Sequence, residues 1–330
     1  MIYRSSSTRL EKIAFALLRR PAADTTMSTI NEGRMRLLSF AKDGRPAIGL
    51  KLPDGILDLT ALGEFPAELS EVIAGGAAMA ERIGEAAVRT GARLSPGAIT
   101  FRPLIPKANA MFCLGLNYAD HAAEGGYAKP GSPTIFMRCP QSLTAHDAPI
   151  LRPILSEQLD YEAELAVIIG APIRHATTEE ALDAVYGYSC FNDGSVRDYQ
   201  RKTVQWTLGK NFDRTGAFGP YLVTADELPR GATGLAITCR LNGQIVQRDN
   251  TGSMIFAVGE TLAKLSECVT LQPGDVVIMG TPAGVGHARK PPLWMRHGDV
   301  VEVEIEAIGL LRNRIEDEVT ERAASPRAAA

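Results

Sequence analysis

Apolar residues along this chain come in short runs set between glycine, proline and aspartate, and helical spacing is uncommon. From Met35 the runs MRLLSFA, DGRPAIGLKL and DGILDL are each bounded by turn residues and predict a small sheet. Residues 69–90 carry Ala-rich helical spacing, and residues 96–107 hold three prolines, which suggests a linker with a boundary near residue 103. Beyond it, strand-like runs dominate, at 110–116, 165–169, 235–241, 275–279 and 300–305. Helical patterns are confined to 120–124, 178–186, 195–200 and 253–265. Strands that do not alternate regularly with helices predict an α+β, β-rich fold rather than a doubly wound one. The expected organisation is a disordered extension over residues 1–34, a small N-terminal domain over 35–102, a larger domain over 103–315 and a disordered tail over 316–330.

One stretch breaks its own pattern. In LDYEAELAVIIG, Glu162 and Glu164 are two apart, so on a strand they share a face. After Glu164 the alternation stops, and LAVIIG is apolar on both faces, as in a strand covered on both sides. The chain supplies a control in VEVEIEA, where Glu302, Glu304 and Glu306 alternate strictly with Val and Ile. Those three are assigned to solvent. Two carboxylates entering a buried strand need compensation by a proton or a cation. About thirty residues on, CFNDGSVRDYQ places Asp193 at a turn, with Ser195 able to cap a short helix carrying Arg197, Asp198 and Gln200. Three carboxylates offering only oxygen suit a hard cation such as Mg²⁺ or Mn²⁺.

Composition narrows the classes of partner. The chain has 330 residues and a formal charge of −3, so it offers no basic field for nucleic acid or anionic lipid. No apolar run reaches the roughly 20 residues of a membrane helix. Small molecules are the expected partners and the cytoplasm the expected location. Five dispersed cysteines without a CxxC pair predict reduced, buried thiols.

The ordered set GLNYADHAAE, LDYEAELAVIIG, NDGSVRDYQ, GKNFD and GTPAGVG resembles the fumarylacetoacetate hydrolase family, over roughly residues 104–313. That resemblance implies a mixed β-sheet roll as catalytic domain, preceded by a small sheet domain, usually in a homodimer, with Mg²⁺ or Mn²⁺ bound. It places metal ligands on Glu162, Glu164 and Asp193, an acid/base pair on His121 and Glu124, and polar substrate contacts on Arg197, Gln200, Lys210 and Thr281. The chain departs from the family where many members have lysine: here stands Arg138, followed by CPQSLTAH. His146 could join Arg138 in a carboxylate-binding pocket or be a surface histidine.

His121 and Glu124, three apart, would face one way on a helix, as a carboxylate orienting an imidazole requires. An ordinary surface helix has the same spacing. Lys210 could pair with a substrate carboxylate or with a nearby acid. GTPAGVG lacks the Lys-Ser or Lys-Thr ending of a phosphate loop, and its glycines would let backbone donors or the Thr281 hydroxyl reach a small ligand. His175, His287 and His297 receive no role. The expected reaction is hydrolysis of a carbon–carbon bond in a 2,4-dioxo acid. His121 would activate water, and the departing enolate would be stabilised by the cation, with Lys210 or Gln200 as donors. The alternatives are an oxo-acid decarboxylase, isomerase or hydratase and, in another class, a non-catalytic binding protein that keeps the metal for stability.

Overall fold

The computed structural model describes residues 35–88 and 91–319. The expected extension over 1–34 and most of the expected tail lie outside them. The first residues of the span expected as tail are ordered instead: the strand Gly309–Asp317 continues through Glu316, and Arg152 Nε donates to Asp317 Oδ1 at 2.6 Å.

The largest sheet has eleven strands and is centred on Ala163–Ile169, which lies between Val185–Asp193 and Val276–Ile278, antiparallel to both. Every residue of this central strand is buried. Leu165, Val167 and Ile169 join one apolar cluster, and Ala166 and Ile168 join another on the opposite face. This two-sided burial accounts for the unbroken apolar run. On the first face lie the helix Val258–Cys268 and a five-stranded sheet whose inward residues include Ile237, Val301, Val303 and Leu311. On the second face lie the helices Leu69–Ala74 and Gly76–Ala87, through Leu69, Val72, Ile73 and Ile83.

The N-terminal strands Arg36–Lys42, Arg45–Leu52 and Gly55–Asp58 lie where a small sheet was expected and pair in sequence, each antiparallel to the next. The sheet then runs on across the expected boundary near residue 103. Arg36 and Leu37 pair with Val223 and Leu222 of the strand Gly216–Thr224, and Leu37, Leu50 and Leu57 share a cluster with Ile168, Phe218 and Leu222.

Several helices differ from their expected spans. The single helix expected over 69–90 is two, joined where Gly76 takes a φ of 57°. Ser195 does not cap a helix. With Val196 it pairs as a strand with Leu159–Asp160, its hydroxyl donates to the Asp193 carbonyl at 2.8 Å, and the helix begins at Arg197. Three cysteines, Cys113, Cys190 and Cys239, are buried as expected, whereas Cys139 and Cys268 are exposed; all five are free.

Candidate active site

Strand register brings the three acids together. Ala163 pairs with Asn192 and Glu164 with Phe191, so Glu162 lies opposite Asp193, whose N–H donates to the Glu162 carbonyl at 2.9 Å. Opposed residues share a sheet face, and Glu164 lies two positions along on that same face. One carboxylate oxygen from each of Glu162, Glu164 and Asp193 lies within 4.8 Å of the others. Their exposures are 4%, 1% and 0%, so water does little to separate the charges.

Burial and the neighbouring Asp193 and Glu162 charges push the Glu164 carboxyl well above the usual carboxylate range, although the Gly280 N–H donates to its Oε2 at 2.6 Å. Burial acts the same way on Glu162, but the Lys210 ammonium and the Arg197 guanidinium overcome it and hold that carboxyl well below the usual range. Lys210 Nζ lies 2.5 Å from both Glu162 Oε2 and Asp193 Oδ2. Lys210 therefore pairs with nearby acids rather than facing a substrate alone. It reaches them because the short helices Arg197–Gln200 and Thr207–Lys210 pack closely: a Cβ on Gly209 would come within 2.4 Å of the Gln200 backbone nitrogen.

Above the acids, His121 and Glu124 lie on the helix Ala119–Glu124, with His121 Nδ1 2.9 Å from Glu124 Oε1. Both Glu124 oxygens accept the Gly284 N–H, at 3.1 and 2.9 Å. Partial burial raises the Glu124 carboxyl, but these bonds outweigh it and leave Glu124 below the usual range. The glycine-rich turn thus serves protein carboxylates. Gly280, Gly284 and Gly286 donate to Glu164, Glu124 and Asp160 respectively. Gly280 and Gly284 have φ of 86° and 102°, a region costly for other residues. The Thr281 hydroxyl donates to the Ala163 carbonyl and accepts from Gln247 Nε2.

The cavity over this cluster is lined by His121, Glu162, Glu164, Arg197, Gln200, Lys210 and Thr281, with Phe136, Trp206 and Tyr127 at its sides. Two residues expected in a substrate pocket are elsewhere. Arg138 is buried behind the acids, where it binds Asp193 Oδ1, the Gly194 carbonyl and Thr215 Oγ1. It supports a carboxylate and does not line the cavity. His146 is half-buried and does not line the cavity; its Nδ1 accepts the Arg312 N–H at 3.1 Å and its ring lies edge-on to Phe101.

Sequence reasoning passed over Asp160, Trp206, Arg201 and His287. Asp160 binds Arg197 Nε at 2.8 Å and two backbone N–H groups of the glycine turn. Its signal was present, because Asp160 continues the alternate-position acids at 162 and 164. His287, given no role, lines the cavity beside Arg201.

Buried like charges on one face, all-oxygen donors and a carboxyl driven toward its neutral form have the character of a divalent-cation site. Residues 110–316 match the family described as fumarylacetoacetate (FAA) hydrolase, C-terminal. The chain belongs to the fumarylacetoacetate hydrolase family. It is 38% identical over 288 residues to an oxaloacetate tautomerase, mitochondrial, of Xenopus laevis, covering 85% of this chain and 90% of that one. Among solved members of the family, it resembles the fumarylacetoacetate hydrolase of Exiguobacterium antarcticum at 36% identity and TM-score 0.75, over 86% of this chain and 100% of that one. A maleylpyruvate hydrolase from Sphingobium sp. SYK-6, in complex with manganese (II) ion and pyruvate, matches at 28% identity and TM-score 0.72, with the same coverage. Fold and family expectations both hold, and an enzyme of this family is the result. No helix among the described residues is long and apolar enough to cross a membrane.

Proposed function

We propose that this enzyme interconverts the keto and enol forms of an oxaloacetate-like 2-oxo diacid, with Mg²⁺ or Mn²⁺ held by Glu162, Glu164 and Asp193. The observation that carries the reading is the His121–Glu124 pair over the acid cluster, on a chain whose similarity to proteins named oxaloacetate tautomerase extends over most of both lengths. A divalent cation at these oxygens would draw electron density from a substrate's carboxylate and 2-oxo groups and so acidify the adjacent carbon.

The chain's own groups do the rest. Glu124, kept ionised by His121 and the Gly284 N–H, accepts from Nδ1–H and leaves the lone pair of His121 on Nε2. Nε2 takes the proton from carbon 3 in the keto-to-enol direction and returns it in the other, while the oxygen end exchanges its proton with water. Arg197, fixed by Asp160 and by Gln200 Oε1 at 2.9 Å, holds Gln200 at the cavity wall to orient the substrate.

The test is ketonisation of enol-oxaloacetate followed by its ultraviolet absorbance, in wild type and in His121→Ala. The variant is expected to lose about 10²–10⁴-fold in kcat while still binding Mn²⁺. Ketonisation no faster than with Mn²⁺ alone would refute the reading. Carbon–carbon hydrolysis remains the second reading, since the same Nε2 could deprotonate water and both of the solved relatives described above are named hydrolases. Release of pyruvate from an acylpyruvate, without ketonisation of oxaloacetate, would establish it.

A further inference from the structure

At the mouth of the cavity, the guanidinium of Arg201 lies against Nε2 of His287. An arginine N–H can only donate, so Nε2 must hold its lone pair there, which puts the hydrogen on Nδ1 and leaves the imidazole neutral. Burial, with the charges of Arg197 and Arg201, pushes the His287 imidazole down to about 4, in keeping with that neutral form.

Cations at this cavity fall into two groups. Arg197 and Lys210 are buried and committed: Arg197 to Asp160 and Glu162, Lys210 to Glu162 and Asp193. Arg201 is exposed and, among the described residues, has no carboxylate partner. One end of the cavity is therefore acidic and suited to a cation, and the other carries an uncommitted guanidinium steered by a neutral acceptor. A ligand with a metal-chelating 2-oxo acid group at one end and a second carboxylate at the other matches that distribution.

We propose that Arg201, aligned by His287, binds the far carboxylate of a diacid substrate and so sets the preference for diacids over monoacids. The inference rests on the proposed 2-oxo acid reading, but it concerns recognition and not proton transfer. His287 is a positioning residue in it.

The experiment compares wild type, Arg201→Met, Arg201→Lys, His287→Phe and His287→Gln. It measures KM and kcat for oxaloacetate, together with calorimetric binding, in the presence of Mn²⁺, of a dicarboxylate probe (oxaloacetate monitored before turnover, or 2-oxoglutarate) and a monocarboxylate probe (pyruvate). Arg201→Met is expected to weaken diacid binding about 10–100-fold, the loss falling on KM rather than kcat, with pyruvate affinity changed less than about twofold. Arg201→Lys should recover part of the loss, and His287→Phe should cost about 3–10-fold, with Gln restoring the acceptor. Equal losses for both probes, or no loss for the diacid in Arg201→Met, would overturn the inference. A wild type that prefers diacids through Arg201 but does not ketonise oxaloacetate would instead sink the proposed reaction and leave this inference standing. Normal ketonisation unchanged in Arg201→Met would do the reverse.

Discussion

Two strands of this protein carry glutamates at alternate positions, and they put them to opposite uses. In the strand Val300–Ile305 and the residue after it, Glu302 is half-buried, Glu304 and Glu306 are exposed, and Val301, Val303 and Ile305 point into the core. Glu304 pairs with Arg240 at 2.7 Å on the surface. Such pairs are worth little because water screens them. Glu162 and Glu164 enter a strand covered on both faces, where Lys210, Arg197, Arg138 and the glycine turn surround the acids. The difference comes from the layers. The five-stranded sheet presents one face to solvent, whereas the central strand has apolar clusters on both sides. An identical local pattern thus becomes a solvated face in one place and a charged interior in the other.

Substitutions in both strands should expose this contrast, and the largest effect is expected on turnover. Glu164→Ala or Asp193→Ala should lower kcat/KM for enol-oxaloacetate by about 10³-fold or more, since several kcal/mol of charge stabilisation disappear, while Glu304→Ala in the same assay should stay within about twofold. Next come the ion pairs. Lys210→Met leaves Glu162 and Asp193 buried without their shared ammonium and should destabilise the metal-free protein by about 3–5 kcal/mol in denaturant melts, with Mn²⁺ restoring part of the loss. Arg240→Met, which breaks the surface pair, should cost no more than about 0.5 kcal/mol.

A smaller effect concerns pH. Because the Glu164 carboxyl is raised by burial and by Asp193 and Glu162, the folded chain holds a proton that the unfolded chain would release. Its stabilising contribution is full below the ordinary carboxylate range and is lost as pH rises toward the raised value. Glu164→Gln never ionises and can still accept the Gly280 N–H. In EDTA its Tm should therefore gain on wild type by about 2–4 °C between pH 5 and pH 8. Glu304→Gln should show no such trend.

Much of this arrangement was legible in the sequence, for reasons that also mark where legibility ended. The interrupted alternation after Glu164 reported two-sided burial, because hydrophobic periodicity follows the layers directly. The His121–Glu124 spacing became a real contact because three residues along a helix return to one face. Arg138 and His146 were misassigned because nearness in sequence does not say which way a chain turns after a strand. Arg138 folds inward under Asp193, and His146 packs away from the cavity, half-buried between Phe101 and Arg312. Lys210, read as a residue for substrate, is held by two acids through a close helix contact at Gly209 that no periodicity encodes. Arg201 and His287 are 86 residues apart, and only the packed fold brings them together.

Direct titration with Mn²⁺, followed by electron paramagnetic resonance on protein freed of metal, tests the central claim that the buried acids form a cation site. Wild type and Glu304→Gln should bind one ion per chain with equal affinity, and Glu164→Gln and Asp193→Asn should bind at least about 100-fold more weakly. Undiminished binding in Glu164→Gln and Asp193→Asn would contradict it.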